Sequence, residues 1–209
     1  MMGAAATQEG SAVVDYDRST ALVVVDVQND FADPKGSLYV GEGEQIVPPV
    51  NRELERALAA EALVAYTQDW HPSQTPHFQS AGGVWPEHCV QHTWGAQLHP
   101  TLQVAGEVVR KGQGGEDGYS GFTVRDPVTG EEAATPLEEL LRRRGVRRVV
   151  VVGLATDYCV RETALDAVRL GFDTVVLGGL VRAVDLQAGD GERALAAMRA
   201  AGARVELPA

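Results

Sequence analysis

A chain of 209 residues, 44% apolar and 22% charged, suits one globular domain with a full hydrophobic core. Its net charge of −11 supplies no basic face for nucleic acid. No apolar run is long enough for a membrane span and the start lacks a secretory layout, so a cytoplasmic protein is expected.

The first 18 residues match no periodic pattern and are expected to form a flexible extension, with a single domain over 19–209. ALVVVDV (21–27) is β-branched, apolar and too short for a helix, which predicts a buried strand. Residues 46–60 predict a helix, with Pro48 and Pro49 near its start and Val50, Leu54, Ala57 and Leu58 on one face. Further strands are predicted at 62–68 and 107–111. Pro136 opens a helix that Gly145 ends, and its arginines read as a solvated helix end. A strand at 147–155 leads into a helix from about 159 to 170, then come a strand at 173–179, a helix at 192–202 and a last short strand.

Continuous Val/Leu runs separated by helices imply strands covered on both faces. The fold class expected is α/β: a three-layer αβα sandwich around a mostly parallel six-stranded sheet. Ligands in such folds bind beyond the carboxyl ends of the strands. Four stretches should therefore converge on one rim: Asp26 with Gln28 to Phe31, Asp69 to His71, Lys111, and Ala155 to Cys159. Two long stretches, 69–105 and 112–135, show no regular pattern. The first carries all three tryptophans and all five histidines, which marks it as ordered and functional. The second carries the glycines of KGQGGEDGYSGF (111–122) and reads as a flexible loop that closes on substrate, not as a phosphate loop.

Cys159 falls where a strand turns into a helix. The helix dipole there favours thiolate, and backbone N–H groups unpaired by the helix can hold an oxyanion. The bland alternative is a small buried hydrophobe. Asp26 ends an apolar strand, where a carboxylate needs a partner or a task. Lys111 ends another. Together they offer an acceptor for the thiol proton and a cation to hold both anions. Cys89 could pair with Cys159 in a disulfide, but a cytoplasmic chain of this size does not need one. Asp69 and His71, two apart at a strand end, point to the same side. With His77 and His88 they suit zinc, iron or manganese. His88, Cys89, His92 and His99 form a competing set without regular ligand spacing. Phe31, Trp85 and Tyr119 are candidate walls for a flat substrate.

VVDVQNDF (24–31), TQDWHP (67–72), HFQS (77–80), WPEHCVQHTWGA (85–96), RKG (110–112), YSGF (119–122) and GLATDYCVRETALDA (153–167) follow one another in a specific order. In this the chain resembles the isochorismatase-like cysteine hydrolases, and within them the nicotinamidases, from about Thr20 to its end. The resemblance implies a triad of Asp26, Lys111 and Cys159, a cis peptide between Leu154 and Ala155, and oxyanion donors at Ala155 and Cys159. It implies one divalent metal, zinc ahead of iron or manganese, on Asp69, His71 and His88; His77 matches a histidine that only some members use. Phe31, Trp85 and Tyr119 match pocket positions. The implied reaction is deamidation of nicotinamide, and of pyrazinamide, through a cysteine thioester in NAD salvage. The partners implied are small-molecule substrates, with neither nucleic acid nor membrane, and an exposed helix face leaves room for pairing of copies. Tyr158 departs from relatives that have histidine there, and the loop after Lys111 is longer by one residue than in some; both bear on substrate preference. The rival readings are isochorismate or N-carbamoyl amide hydrolysis, whose enzymes generally lack the Asp-x-His metal set, and a non-catalytic thiol-bearing binding protein on the same scaffold.

Overall fold

The structure is a computed structural model that describes residues 14–207. Six strands form one sheet: β1 (Thr20–Val25), β2 (Leu63–Asp69), β3 (Glu107–Lys111), β6 (Arg148–Leu154), β7 (Asp173–Arg182) and β8 (Arg204–Glu206). Their order is β3-β2-β1-β6-β7-β8, and every neighbouring pair is parallel. The sheet is thus wholly parallel, and strand order reverses between β1 and β6.

Alternation along each strand sends neighbouring side chains to opposite faces. Leu22, Val24, Val64, Tyr66, Val150 and Val152 belong to one core, packed with Ile46, Val50 and Leu54 of the segment that leads into and forms α2 (Val47–Ala59). Ala21, Val23, Val25, Val149 and Val151 belong to the other. That second core is closed by α3 (Leu137–Arg143), α4 (Arg161–Arg169) and α5 (Asp190–Ala201). Burial on both faces explains why these strands read as unbroken apolar runs.

Three features depart from the expected layout. A four-residue helix, α1 (Asn29–Ala32), follows β1 after three residues. The stretch 112–135 contains a small antiparallel hairpin, β4 (Thr123–Arg125) and β5 (Glu132–Ala134), largely exposed and so without the apolar alternation that marks a strand. Of the expected extension over 1–18, residues 1–13 lie outside those described. Residues 14–18 pack on the body: Val14 is buried in the first core, its carbonyl accepts from Arg56 at 2.7 Å, and Arg18 pairs with Glu61. Val14 and Tyr16 on the core, with a few arginine contacts, are too sparse to leave a periodic trace. Among the described residues no helix is long and apolar enough to cross a membrane.

Candidate active site

The carboxyl end of the sheet gathers a cluster of buried ionisable side chains. Asp69 and Lys111 are register partners on β2 and β3. Asp26 follows the last residue of β1 in a left-handed conformation, φ 47°, which aspartate tolerates better than most residues. β6 ends at Leu154, the Leu154–Ala155 peptide is cis, and one π turn, Thr156–Val160, carries Cys159 before α4 begins.

All four ionisable groups are buried. Lys111 Nζ lies 2.9 Å from Asp26 Oδ2, an ion pair not aligned as a hydrogen bond. It also donates to Asp69 Oδ1, and lies 3.7 Å from Cys159 Sγ. Thr67 donates to the other oxygen of Asp26 at 2.7 Å. One cation therefore faces two carboxylates and a thiol. Burial by itself lowers the proton affinity of Lys111, but Asp26 and Asp69 reverse this and hold it well above the ordinary lysine range. Burial raises Asp69, yet Lys111 and then His71 bring it far below the usual carboxylate range. Burial raises Asp26 and Lys111 only partly offsets it, so Asp26 is the more proton-hungry carboxylate.

The thiol does not follow the dipole reading. Burial pushes Cys159 well above its usual range; Lys111 lowers it, but Asp26 and Asp69 add to the rise. Desolvation and two nearby anions thus favour the thiol form, against the thiolate that one helix end favours. Moving its proton to Asp26 leaves the charge of the cluster unchanged, which keeps that transfer accessible in a dry site.

Beside this cluster stand His71, His77 and His88, each buried, with ligand atoms within 4.8 Å of one another. Asp69 Oδ2 is 3.9 Å from His71 Nε2. Among the described residues neither ring nitrogen of His71 has a hydrogen-bond partner, which is costly for a buried imidazole unless something else binds it. Burial, first, pushes His88 down to about 4, so its imidazole is neutral at neutral pH. Neutral imidazoles and a carboxylate around an orphaned nitrogen are the donor set of a divalent cation. Asp26, Asp69 and Cys159 are just as close to one another, but Lys111 among them disfavours a cation there.

The pocket above both groups is walled by Phe31, Trp85, Tyr119 and Tyr158, and Ala155 and Cys159 line it as well. Trp85 donates to the Tyr119 hydroxyl at 2.9 Å and meets Tyr158 edge-on at 4.9 Å.

Residues 20–207 match the isochorismatase domain model. The chain belongs to the isochorismatase family. It is 38% identical over 201 residues to a nicotinamidase of Escherichia coli, covering 88% of this chain and 92% of the relative. Among solved structures it resembles the pyrazinamidase of Pyrococcus horikoshii in complex with zinc, with 40% identity and a TM-score of 0.79, over 90% of this chain and 98% of that one. It also resembles a protein of L. infantum in complex with nicotinate, with 36% identity and a TM-score of 0.81, over 93% and 98%.

Every site residue expected from the family pattern lies on one rim or in the two loops, 69–105 and 112–135, that border the pocket. The competing set separates. His88 joins the imidazole cluster, whereas Cys89 is turned into the first core with its N–H on Asp30 Oδ2. His92 packs edge-on against Trp70, and His99 bonds Thr101. Both cysteines are free.

Some contributors were not read from the sequence, among them Thr67 on Asp26 and Gly118 in the pocket wall. Leu38, Val40 and Val184 line the pocket, yet any apolar residue near a strand end looks alike in sequence. Asp117 lies in the glycine-rich loop, 2.8 Å from His77 Nδ1, and the hydrogen bond from His77 first, with other contacts, holds its carboxyl down to about 2. An acidic residue in a polar loop carries no signal of such a contact.

Proposed function

We propose that this family member is a cysteine amidohydrolase that converts nicotinamide to nicotinate and ammonia, a step of NAD salvage. The observation that carries the reading is Cys159 at the floor of an aromatic pocket, against Lys111 and Asp26, with the three-histidine group on the facing side. The relatives' nicotinamidase and pyrazinamidase activities, and the nicotinate bound by one of them, support it.

Asp26 takes the Cys159 proton while Lys111 holds both groups in place. The thiolate attacks the carboxamide carbon, and the N–H groups of Ala155 and Cys159 steady the oxyanion. The C–N bond breaks as Asp26 returns its proton to nitrogen, and ammonia leaves. Water, deprotonated by Asp26, then cleaves the thioester to nicotinate and Cys159 regains its proton.

Asp69, His71 and His88, with His77 as a fourth donor, would hold the metal. When bound, a divalent ion there supplies a Lewis-acid anchor for a pyridine nitrogen. Zinc is the ion proposed; iron and manganese suit the same donors. Phe31, Trp85 and Tyr119 would flank the flat ring. The partner is thus a small molecule, and a cytoplasmic setting suits such a substrate.

Ammonia release from nicotinamide, pyrazinamide and an aliphatic amide, on protein analysed for metal, tests this. Turnover of both ring amides far above the aliphatic one is expected. No release from nicotinamide, or equal rates on all three, would overturn it.

A further inference from the structure

The three imidazoles of the pocket are not held alike. His88 turns Nδ1 to the Pro86 carbonyl at 2.7 Å. His77 turns Nδ1 to Asp117 Oδ1 at 2.8 Å. A neutral imidazole that gives its Nδ1 proton to an acceptor keeps its Nε2 lone pair free. Of the two acceptors only Asp117 bears a full charge, and a carboxylate behind an imidazole both fixes its orientation and makes the far nitrogen a better donor.

Asp117 is itself firmly set. Its N–H donates to the Arg125 carbonyl at 2.7 Å, and its carbonyl accepts from the Arg125 N–H at 2.6 Å. Oδ1 also accepts from the Gly118 N–H at 2.8 Å. Arg125 ends β4, so the exposed hairpin, which otherwise takes no part in the pocket, anchors this carboxylate. The same loop touches a second histidine. Gly112 has φ 76°, and a Cβ on it would stand 2.6 Å from His71 Nδ1. Residues 112–118 therefore back two of the three imidazoles.

We propose that Asp117 is a positioning residue for the metal centre. It holds His77 with Nδ1 protonated and Nε2 presented inward, which makes His77 a ligand in this chain and ties metal affinity to the 112–118 loop. The inference rests on the metal reading given above.

The test titrates metal-free full-length protein with Zn²⁺ against a chromophoric chelator. Wild type, Asp117→Ala, Asp117→Asn, His77→Ala and the Asp117→Ala/His77→Ala double variant are compared. Wild type should take up one Zn²⁺. Asp117→Ala should raise its Kd roughly 10–100-fold. Asp117→Asn should lose less, since its amide oxygen still accepts but carries no charge. In the His77→Ala background the Asp117→Ala change should add nothing, because its effect passes through that imidazole. A merely structural role in the loop would weaken binding equally in both backgrounds. An unchanged Kd for Asp117→Ala, or an undiminished loss without His77, would overturn the proposal. Wild type that takes up no Zn²⁺ would instead overturn the metal reading beneath it, a pattern distinct from wild type and variants binding alike.

Discussion

Ion pairs stand at both ends of the sheet, and they are of opposite kinds. At the amino end Arg148 meets Asp173 with side chains 33% and 47% exposed, and Arg18 meets Glu61 at 77% and 66%. At the carboxyl end Lys111 meets Asp26 at 1% and 0%. Water screens the first pairs and holds the side chains loosely, so each contributes little. The second pair has lost its water, so its charges depend on one another and on Asp69 beside them. Stability can do without the first kind of charge, whereas chemistry in a dry pocket needs the second.

Removing the thiol tests the carboxyl end most sharply. Cys159→Ala should lower ammonia release from nicotinamide by on the order of 10⁴-fold or more, with the fold retained by circular dichroism. Near wild-type release would place the nucleophile elsewhere. Lys111→Met should destabilise by about 3–5 kcal/mol in urea unfolding, since two buried carboxylates lose their cation. A loss below about 1 kcal/mol would mean this end behaves like the other.

Metal removal comes next. Dialysis against a chelator should abolish most ammonia release and cost about 2.7 kcal/mol relative to protein held at 100 times the metal Kd. An unchanged unfolding midpoint would break the assignment of the histidine cluster. Smallest of all, Asp173→Asn at the amino end should cost no more than about 1 kcal/mol, shrink further in high salt and leave turnover unchanged. A salt-insensitive loss would erase the contrast between the ends.

The strands were legible because a sheet covered on both faces demands unbroken apolar runs, as in LVVV (22–25) and VVVV (149–152). The site was legible for a related reason: Asp26, Asp69, Lys111 and Cys159 interrupt or end such runs, where a polar residue needs a purpose. The β4–β5 hairpin was not legible, because exposed three-residue strands satisfy backbone hydrogen bonds without apolar alternation. The packing of residues 14–18 escaped for want of periodicity.

By itself the sequence determined which residue types end which strands, and a parallel α/β order then brings those ends to one rim. Only the tertiary structure decided their electrostatics. Helix position argued for a thiolate at Cys159, but burial, with Asp26 and Asp69 nearby, pushes its proton affinity up, a balance set by distance and water exclusion. Packing alone likewise set Asp117 behind His77, since a separation of 40 positions leaves no local trace of contact.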